Sequence, residues 1–507
     1  ASRVHAICFI RVSLRTVMRG CYRCLAFAAC LPCLVAASIA DHQWCRITTP
    51  HFDLVTDIEP NNGLELARAL EDFHRMAQQL LNTDREQVRP LRVLAFKNKD
   101  DFRETFDNNR IAGFMKPSFQ EHLLVFGPDE GARGRFQVAF HEYTHYLLRR
   151  YSSLNLPIWF EEGFAVYLST AQFVSPTRAL VGQPVVTPNA RRILNRRPRV
   201  SQILDERYTV DWSRHVLPGV YEKAWAVVHF LYHGESAQNE SIESHIDDML
   251  VAIDAGMSSS EAISMFTGYD SDDLIVPLRS YFQRKDLPIR TVDFEPGNPQ
   301  PLDVDCLHPL EARLTLARVI MARNPLLAGR LLEDVLEDAP NDVPTLVSYS
   351  RALRGLRGKA HTIAEQALQL DPSDPGANVR MAELIVSRCM EDIAALCKRN
   401  WADAAELYRT ALKSDPERVD AAFGLGVVYV HTGKPGDAIN YLLVAHRLAP
   451  WAPRINYYLG EAYRLSGKEA LARLHLKKTY HWDASEDWRK RARISLSLLS
   501  LPISLSY

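Results

Sequence analysis

The second half of the sequence repeats a pattern of residues at an interval of thirty-four positions. Five residues return at this spacing: Leu425, Gly426, Tyr429, Gly433 and Ala438 recur as Leu459, Gly460, Tyr463, Gly467 and Ala472. Small residues at fixed positions let two helices cross closely, and a unit of this length can bury its apolar face only against neighbouring units. The pattern therefore predicts an all-α solenoid.

The period and the residue pattern are those of the tetratricopeptide repeat, whose units end at a proline, as at Pro416 and Pro450. Weaker copies precede them, with turn signals at Pro340 and Pro372 and with about ten additional residues before Pro416. We expect about four or five units over residues 307–487, then a tail over 488–507. Because such solenoids present a concave face to peptides or proteins, we expect a protein partner in the groove.

A second feature is the sequence His-Glu-Tyr-Thr-His at residues 141–145, followed by Glu162. On a helix, His141 and His145 lie on the same face and can present two ring nitrogens to one metal ion, with Glu142 beside it. Catalytic zinc often takes a carboxylate from a second helix as its third protein ligand and leaves the fourth position to water. The spacing therefore predicts a zinc site with its own general base.

These residues resemble the gluzincin metallopeptidases, in which the histidine motif is followed by a helix of the pattern W-x-x-E-G-x-A, here residues 159–165. The resemblance implies that His141, His145 and Glu162 bind Zn²⁺ and that Glu142 is the general base. Two features depart from the family: the spacer before Glu162 is shorter than in thermolysin-like and aminopeptidase groups, and Val166 stands where many relatives have an acid that orients a ligand. Residues 51 to 285 are also similar to an uncharacterised family of bacterial zincin-like peptidases.

Hydrophobic periodicity around the motif predicts strands at 52–56 and 91–96 and helices at 64–81 and 100–106. The fold class is therefore an α+β zincin-like catalytic domain followed by an all-α tetratricopeptide-repeat solenoid. Residues 122–126 are predicted to be the strand just before the metal helix. In zincins the strand at that place is an edge strand that pairs with extended substrate, although the sequence equally allows a purely structural edge.

A residue that stabilises a developing oxyanion is also expected in a peptidase of this type. Tyr221 follows Pro218-Gly219 at the start of a predicted helix, and its hydroxyl could donate to the oxyanion if that end of the helix faces the zinc. His215, His229 and His233 compete with Tyr221 for this role.

The first forty residues are predicted to be an N-terminal extension and signal peptide. Arginines precede an apolar stretch over 24–37, and Ser38-Ile39-Ala40 is a small-x-small cleavage pattern. We expect an exported protein, periplasmic in a Gram-negative bacterium, without a transmembrane span in the mature chain; the alternative is an outer-membrane lipoprotein anchored at Cys30. A net charge of -1 gives no electrostatic reason to expect nucleic acid as a partner.

Four cysteines follow the predicted cleavage site: Cys45, Cys306, Cys389 and Cys397. An exported chain permits disulfides, and four cysteines can be paired in three ways. Cys389 and Cys397 are close in sequence, so we expect them to form one pair.

The expected organisation is a metallopeptidase domain over 41–286, a linker over 287–306 and the repeats that follow. The predicted function is an exported zinc peptidase that hydrolyses peptide or protein substrates, with Glu142 activating a zinc-bound water. The alternative is a non-catalytic repeat scaffold that carries a degenerate protease lobe. The intact Glu142 argues against this alternative, because an inactive enzyme has no reason to retain the base.

Overall fold

The computed structural model describes residues 39, 41–83, 90–106, 112–117, 122–128, 136–152, 154–184, 199–204, 220–284, 286–297, 301–321, 323–353, 355–391, 398–482 and 486–499. The predicted signal peptide and Cys30 lie outside these ranges, apart from Ile39. Within them, none of the helices combines the length and the apolar character needed to cross a membrane. We call residues 39–306 the α+β lobe and residues 307–499 the repeat region.

A six-stranded mixed sheet forms the centre of the α+β lobe. Its strands are β1 (Cys45–Thr48), β2 (Phe52–Thr56), β3 (Leu91–Ala95), β4 (Gly113–Pro117), β5 (His122–Phe126) and β9 (Val304–Cys306). Their order is β4-β5-β3-β2-β1-β9, in which β2, β3 and β5 are parallel while β4, β1 and β9 run antiparallel to their neighbours.

The prediction that residues 122–126 form the edge of this sheet is wrong, because β5 pairs with both β3 and β4. Among the described strands, the one at this end of the sheet is β4, which lies antiparallel to β5. Gly113 and Pro117 bound this strand, and both residue types are depleted in strands, so its sequence gives little strand signal.

A second, three-stranded sheet has the order β6-β7-β8, with β6 at Gln172–Ser175, β7 at Arg178–Val181 and β8 at Arg290–Asp293. The sequence predicts a linker over 287–306, but this interval supplies β8 to the small sheet and β9 to the large one. The chain therefore returns to the α+β lobe twice before the repeats begin, and the predicted linker is a part of the lobe.

The lobe has nine described α-helices and a short 3₁₀ helix, Glu243–His245. The α-helices are α1 (Pro60–Leu80), α2 (Lys99–Phe106), α3 (Gln137–Tyr151), α4 (Ile158–Ser169), α5 (Val200–Leu204), α6 (Val220–His233), α7 (Ile246–Asp254), α8 (Ser259–Thr267) and α9 (Ile275–Tyr281). Local signals set several ends: Pro60 begins α1, and Ser258 with Glu261 forms a capping box at α8. The strands and helices predicted around the histidine motif are present.

The two faces of the large sheet are covered by different parts of the chain. Leu54 and Leu124 pack into a core with α1 and α3, whereas the adjacent residues Val55 and Val125 pack into a core with the first repeat helices. Successive side chains of a strand point to opposite faces, so one sheet joins both cores. The repeat region thus covers the sheet face opposite α3.

The repeat region consists of helices packed in sequence order. They are α10 (Pro309–Ile320), α11 (Pro325–Asp338), α12 (Val343–Ala352), α13 (Arg357–Leu370), α14 (Pro375–Glu391), α15 (Lys398–Ser414), α16 (Val419–His431), α17 (Pro435–Leu448), α18 (Pro453–Leu465), α19 (Glu469–Trp482) and α20 (Glu486–Leu498). The additional residues before Pro416 lie largely in α14 and α15, which have 17 residues each. The predicted tail begins within α20, whose Trp488 contacts Tyr457 at a ring-centre distance of 5.2 Å.

The repeated glycines explain how these helices pack. A Cβ atom added to Gly426 would lie 2.5 Å from Cγ of Leu442, and one added to Gly460 would lie 2.7 Å from Cγ of Leu476. The two leucines are separated by the same thirty-four positions as the two glycines. The period in the sequence is therefore a period of helix-to-helix contacts, as a solenoid requires.

The repeat region also contacts the helix that carries the histidine motif. Trp451 packs against Tyr146 of α3 with a ring-centre distance of 5.7 Å, and the guanidinium of Arg150 lies 5.3 Å from the centre of the Trp451 ring. Nearby, Nζ of Lys477 donates to the carbonyl of Asp254 at 3.0 Å. The solenoid therefore contacts the lobe in two places: on the sheet face opposite α3, and at α3 and α7 themselves.

Cys45 and Cys306 form a disulfide between the neighbouring strands β1 and β9. The two residues are directly opposite in register, with their Cα atoms 3.9 Å apart. The four cysteines allow three sets of pairings, and the sequence did not decide which of them contains this disulfide. Cys389 is buried on α14, but Cys397 lies outside the described residues, so the Cys389–Cys397 pair stays a prediction.

Candidate metal site

Two helices bring three potential metal ligands together. His141 and His145, one turn apart on α3, have their Nε2 atoms 3.3 Å apart. Oε2 of Glu162, on α4, lies 3.4 Å from each of these nitrogens. The three residues predicted as ligands therefore converge on one point, and each offers one donor atom to it.

The size of this triangle fits a tetrahedral metal ion. For bonds of 2.0–2.1 Å at tetrahedral angles, two donor atoms are about 3.3–3.4 Å apart. Oε2 of Glu162 is buried and has no hydrogen-bond partner among the described residues, which is unfavourable for a carboxylate unless a cation is nearby. Two imidazoles and one carboxylate are also a common donor set for zinc. These residues would hold the ion, with one position left open.

The pKa shifts of these groups indicate that the site carries a negative charge that can bind a cation. Burial would raise the pKa of Glu162, but the charges of the neighbouring His145 and His141 outweigh it and hold that pKa well below its usual range. Burial would lower the pKa of His145, yet the Glu162 carboxylate and the charge of Glu142 raise it. The carboxylate is thus ionised and available as a ligand.

Glycine at position 163 lets α4 place Glu162. A Cβ atom on Gly163 would lie 2.4 Å from the carbonyl oxygen of Ala224 on α6, closer than any side chain tolerates. Glycine therefore permits α4 and α6 to approach within the distance that directs Glu162 toward α3. The preceding Glu161 points elsewhere and lies 3.6 Å from Arg149.

The ring nitrogen of His145 that faces away from Glu162 is not held by a polar neighbour in the described residues. This atom, Nδ1, is buried. Val166, at the position where many gluzincins have an orienting acid, is a buried apolar residue of the core. The sequence thus departs from the gluzincin pattern at Val166, and Nδ1 of His145 has no hydrogen-bond partner among the described residues.

Glu142 joins the site to the edge strand of the large sheet. Its Oε2 accepts a hydrogen bond from the backbone N–H of Met115 in β4, at 3.0 Å. The half-buried carboxylate therefore contacts the strand that lies at the edge of the large sheet among the described strands. The sequence predicted Glu142 but gave no reason to expect β4 beside it.

Tyr221, at the start of α6, is the predicted oxyanion donor that the structure brings to this site. Its ring centre lies 6.1 Å from that of His141. Burial raises the pKa of Tyr221, and the charges of Glu162 and Glu142 add to the effect. The hydroxyl therefore remains protonated and can donate a hydrogen bond.

The histidines that compete with Tyr221 are engaged elsewhere or lie outside the described residues. His229 is buried and contacts the carbonyl of Gly182 and the hydroxyl of Tyr281, each at 3.0 Å. His233 lies 2.9 Å from the hydroxyl of Tyr167. His215 is not described, so among the described candidates the geometry favours Tyr221.

Comparison with known proteins identifies the repeats. The tetratricopeptide repeat model matches residues 393–453. A search of curated proteins finds no match to this sequence. Among solved structures, a thermophilic tetratricopeptide-repeat protein of Thermus thermophilus is 22% identical, over 37% of this chain and 99% of its own, with a TM-score of 0.33. MamA of Desulfovibrio magneticus is 21% identical, over 34% of this chain and 97% of its own, with a TM-score of 0.26. The matched family model therefore shows tetratricopeptide repeats within the helical repeat region, which adjoins an α+β lobe.

Proposed function

We propose that the α+β lobe is a zinc-dependent peptidase of the gluzincin type and that the repeat region binds its substrate or a partner protein. The observation that carries the proposal is the triangle of Nε2, Nε2 and Oε2 atoms, with sides of 3.3 and 3.4 Å, formed by His141, His145 and Glu162. A cluster of that size, with a general base beside it, is the arrangement that metal-assisted hydrolysis needs.

The residues of this chain divide the chemistry among them. Zinc in this site would lower the pKa of a bound water and polarise the scissile carbonyl. Glu142 then takes the proton of the attacking water and passes it to the leaving amine. Tyr221 donates a hydrogen bond to the oxygen on which negative charge develops.

The edge strand β4 gives this chemistry a substrate-binding surface. An extended peptide can add itself to the free edge of a sheet through backbone hydrogen bonds. Because Glu142 contacts the backbone of Met115 in β4, a peptide paired to that edge passes the proposed base. This arrangement supports hydrolysis of peptide bonds in extended substrates.

An exported location belongs to the same proposal. The Cys45–Cys306 disulfide agrees with an oxidising compartment, because disulfides are rare in reducing ones. The periplasm of a Gram-negative bacterium is such a compartment. The lipoprotein alternative depends on Cys30, which lies outside the described residues.

The second candidate is a repeat scaffold with an inactive lobe, and the identified repeats are compatible with it as they are with the peptidase. Such scaffolds bind proteins without chemistry of their own. The ligand triangle and Glu142 support the peptidase instead, because a scaffold has no use for them.

Zinc content and peptide cleavage, measured on the same samples, test the proposal. His141→Ala and Glu162→Ala should lose both zinc and activity, because each removes a ligand. Glu142→Gln should keep zinc but lose activity by roughly 10²–10⁴-fold, since it retains shape without basicity. Glu104→Gln, an exposed change on α2, is the control and should resemble wild type.

Two results would contradict different parts of the proposal. A wild-type protein that binds no zinc and cleaves no unfolded protein would return the case to the scaffold. A Glu142→Gln protein with full activity would leave the peptidase function standing but would show that Glu142 is not the general base.

A further inference from the structure

One arginine of the repeat region reaches the edge strand of the α+β lobe. Arg323 lies in the turn between α10 and α11, and its guanidinium carbon is 4.1 Å from the ring centre of Phe114. Phe114 belongs to β4 and is buried, whereas the partly covered side chain of Arg323 still has a substantial surface open to solvent. A guanidinium stacked on an aromatic ring is held in place while its in-plane N–H groups remain available to a planar acceptor.

The turn that carries Arg323 is fastened to the lobe. Asn324 caps α11 by accepting a hydrogen bond from the N–H of Leu327 at 3.1 Å, and its Nδ2 donates to the carbonyl of Thr105 at 3.2 Å. Thr105 lies on α2, next to Phe106, whose ring packs 5.0 Å from that of Phe114. Arg323 therefore has a fixed position relative to β4.

No carboxylate of the described residues lies within ion-pair distance of Arg323. Burial lowers the pKa of Arg323, while the charge of Glu142 acts in the opposite direction. The guanidinium is thus near enough to Glu142 to respond to its charge, but it does not form an ion pair with it in the structure. Among the described residues, the guanidinium therefore has a ring contact with Phe114 and no ion pair.

The alternation of β4 shows which part of a bound peptide would meet Arg323. Phe114 faces the core shared with the repeat region, whereas the next residue, Met115, packs on the core that contains α3. A peptide paired to this edge alternates in the same way. Every second side chain would therefore point toward the face occupied by Arg323, and the others toward the face of the His141 site.

We propose that Arg323 binds a carboxylate of an extended peptide substrate and so gives the enzyme a preference for acidic peptides. The proposal rests on the peptidase function and concerns its substrate class. Arginine holds a carboxylate through two parallel N–H···O bonds, which gives strength and a defined orientation. The carboxylate can be that of an Asp or Glu side chain or the C-terminus of the peptide.

The test is the hydrolysis of matched quenched peptides by the full-length, zinc-loaded protein. One series places Glu or Gln at each of the positions flanking the scissile bond, and a second series compares a free C-terminus with an amide. We expect wild type to prefer the carboxylate at one location by about tenfold or more in kcat/KM, the discrimination a charge-assisted hydrogen bond provides. The location identifies whether a side chain or a C-terminus is recognised.

The Arg323 variants decide whether this residue is responsible. Arg323→Ala should remove the preference while cleaving the neutral peptide nearly as wild type does, and Arg323→Glu should favour Lys at the same location. Arg454→Ala is the matched control, because Arg454 lies 5.2 Å from the ring centre of Trp488, at the far end of the repeats. Zinc content shows that each variant is folded.

Two outcomes overturn the inference. Wild type that cleaves Glu and Gln peptides equally has no acidic preference, and an unchanged preference in Arg323→Ala assigns it to another residue; both leave the peptidase function intact. A wild type that cleaves none of the peptides or unfolded proteins would overturn the proposed function itself.

Discussion

The repeat region and the α+β lobe bring their helices together in different ways. In the repeats, Gly426 and Gly460 each accept a leucine from the following helix, and the same contact returns one unit later. In the lobe, the candidate site joins β4, α3, α4 and α6, and none of the contacts between these elements returns at a regular interval. A repeated contact is visible in the sequence as a period. A site assembled once shows only its short motifs in the sequence, and the contacts between those motifs and other elements, such as β4, leave no pattern.

The largest expected effect comes from a substitution that obstructs the close contact between α4 and α6 in the lobe. Gly163→Ala would place its Cβ atom against backbone atoms of Ala224, which cannot move aside as a side chain can. We expect destabilisation of roughly 1–3 kcal/mol or more and a zinc affinity lowered about tenfold or more, because α4 must shift with Glu162. Thermal unfolding and zinc titration measure the two effects.

The control for Gly163→Ala is Gly329→Ala on α11, where the nearest neighbour of an added Cβ is 3.9 Å away. This variant should bind zinc as wild type does. If Gly163→Ala keeps wild-type zinc affinity, the position of Glu162 does not depend on the contact between α4 and α6.

The next effect concerns a single hydroxyl in the lobe. Tyr221→Phe removes the proposed oxyanion donor, so we expect turnover to fall about a hundredfold or more, with KM and zinc content nearly unchanged. Steady-state kinetics on an unfolded substrate measures this. Tyr441→Phe, on α17 in the repeats, should have wild-type turnover. A Tyr221→Phe protein with wild-type turnover would show that another group stabilises the oxyanion.

A smaller effect is expected when the repeated contact is disturbed. Gly460→Ala meets the Leu476 side chain at 2.7 Å, which can adjust in part, so we expect a loss of roughly 1–3 kcal/mol in the free energy of unfolding. Zinc content should not change. Gly436→Ala, where an added Cβ has no neighbour within 4 Å, is the control. Zinc loss in Gly460→Ala would mean that the repeats and the site are not independent in their packing.

The sequence predicted the parts of the structure that are local or periodic. The pair His141 and His145 is fixed by the pitch of one helix, and the spacing to Glu162 follows a family pattern. The tetratricopeptide period gave the solenoid, because each unit repeats the packing of the last. These features depend on neighbours in sequence or on a regular interval.

The sequence did not predict the features that depend on distant parts of the chain. β4 is bounded by Gly113 and Pro117 and becomes a strand only because β5 is available to pair with it. Arg323 is one of many charged residues in a helical repeat, and its distinction is the packing of its turn on α2 and β4. No pattern in one sequence marks such contacts between segments about two hundred residues apart.

The disulfide between Cys45 and Cys306 changes how the chain is connected. It closes residues 45 to 306 into a covalent ring, with a sequence separation of 261, from which the repeat region departs at one point. A single proteolytic cut anywhere inside that ring therefore opens it but releases no fragment. As long as the disulfide is intact, the two pieces made by such a cut remain joined to each other, and the lobe stays attached to its repeats. The pieces separate only after the disulfide is reduced.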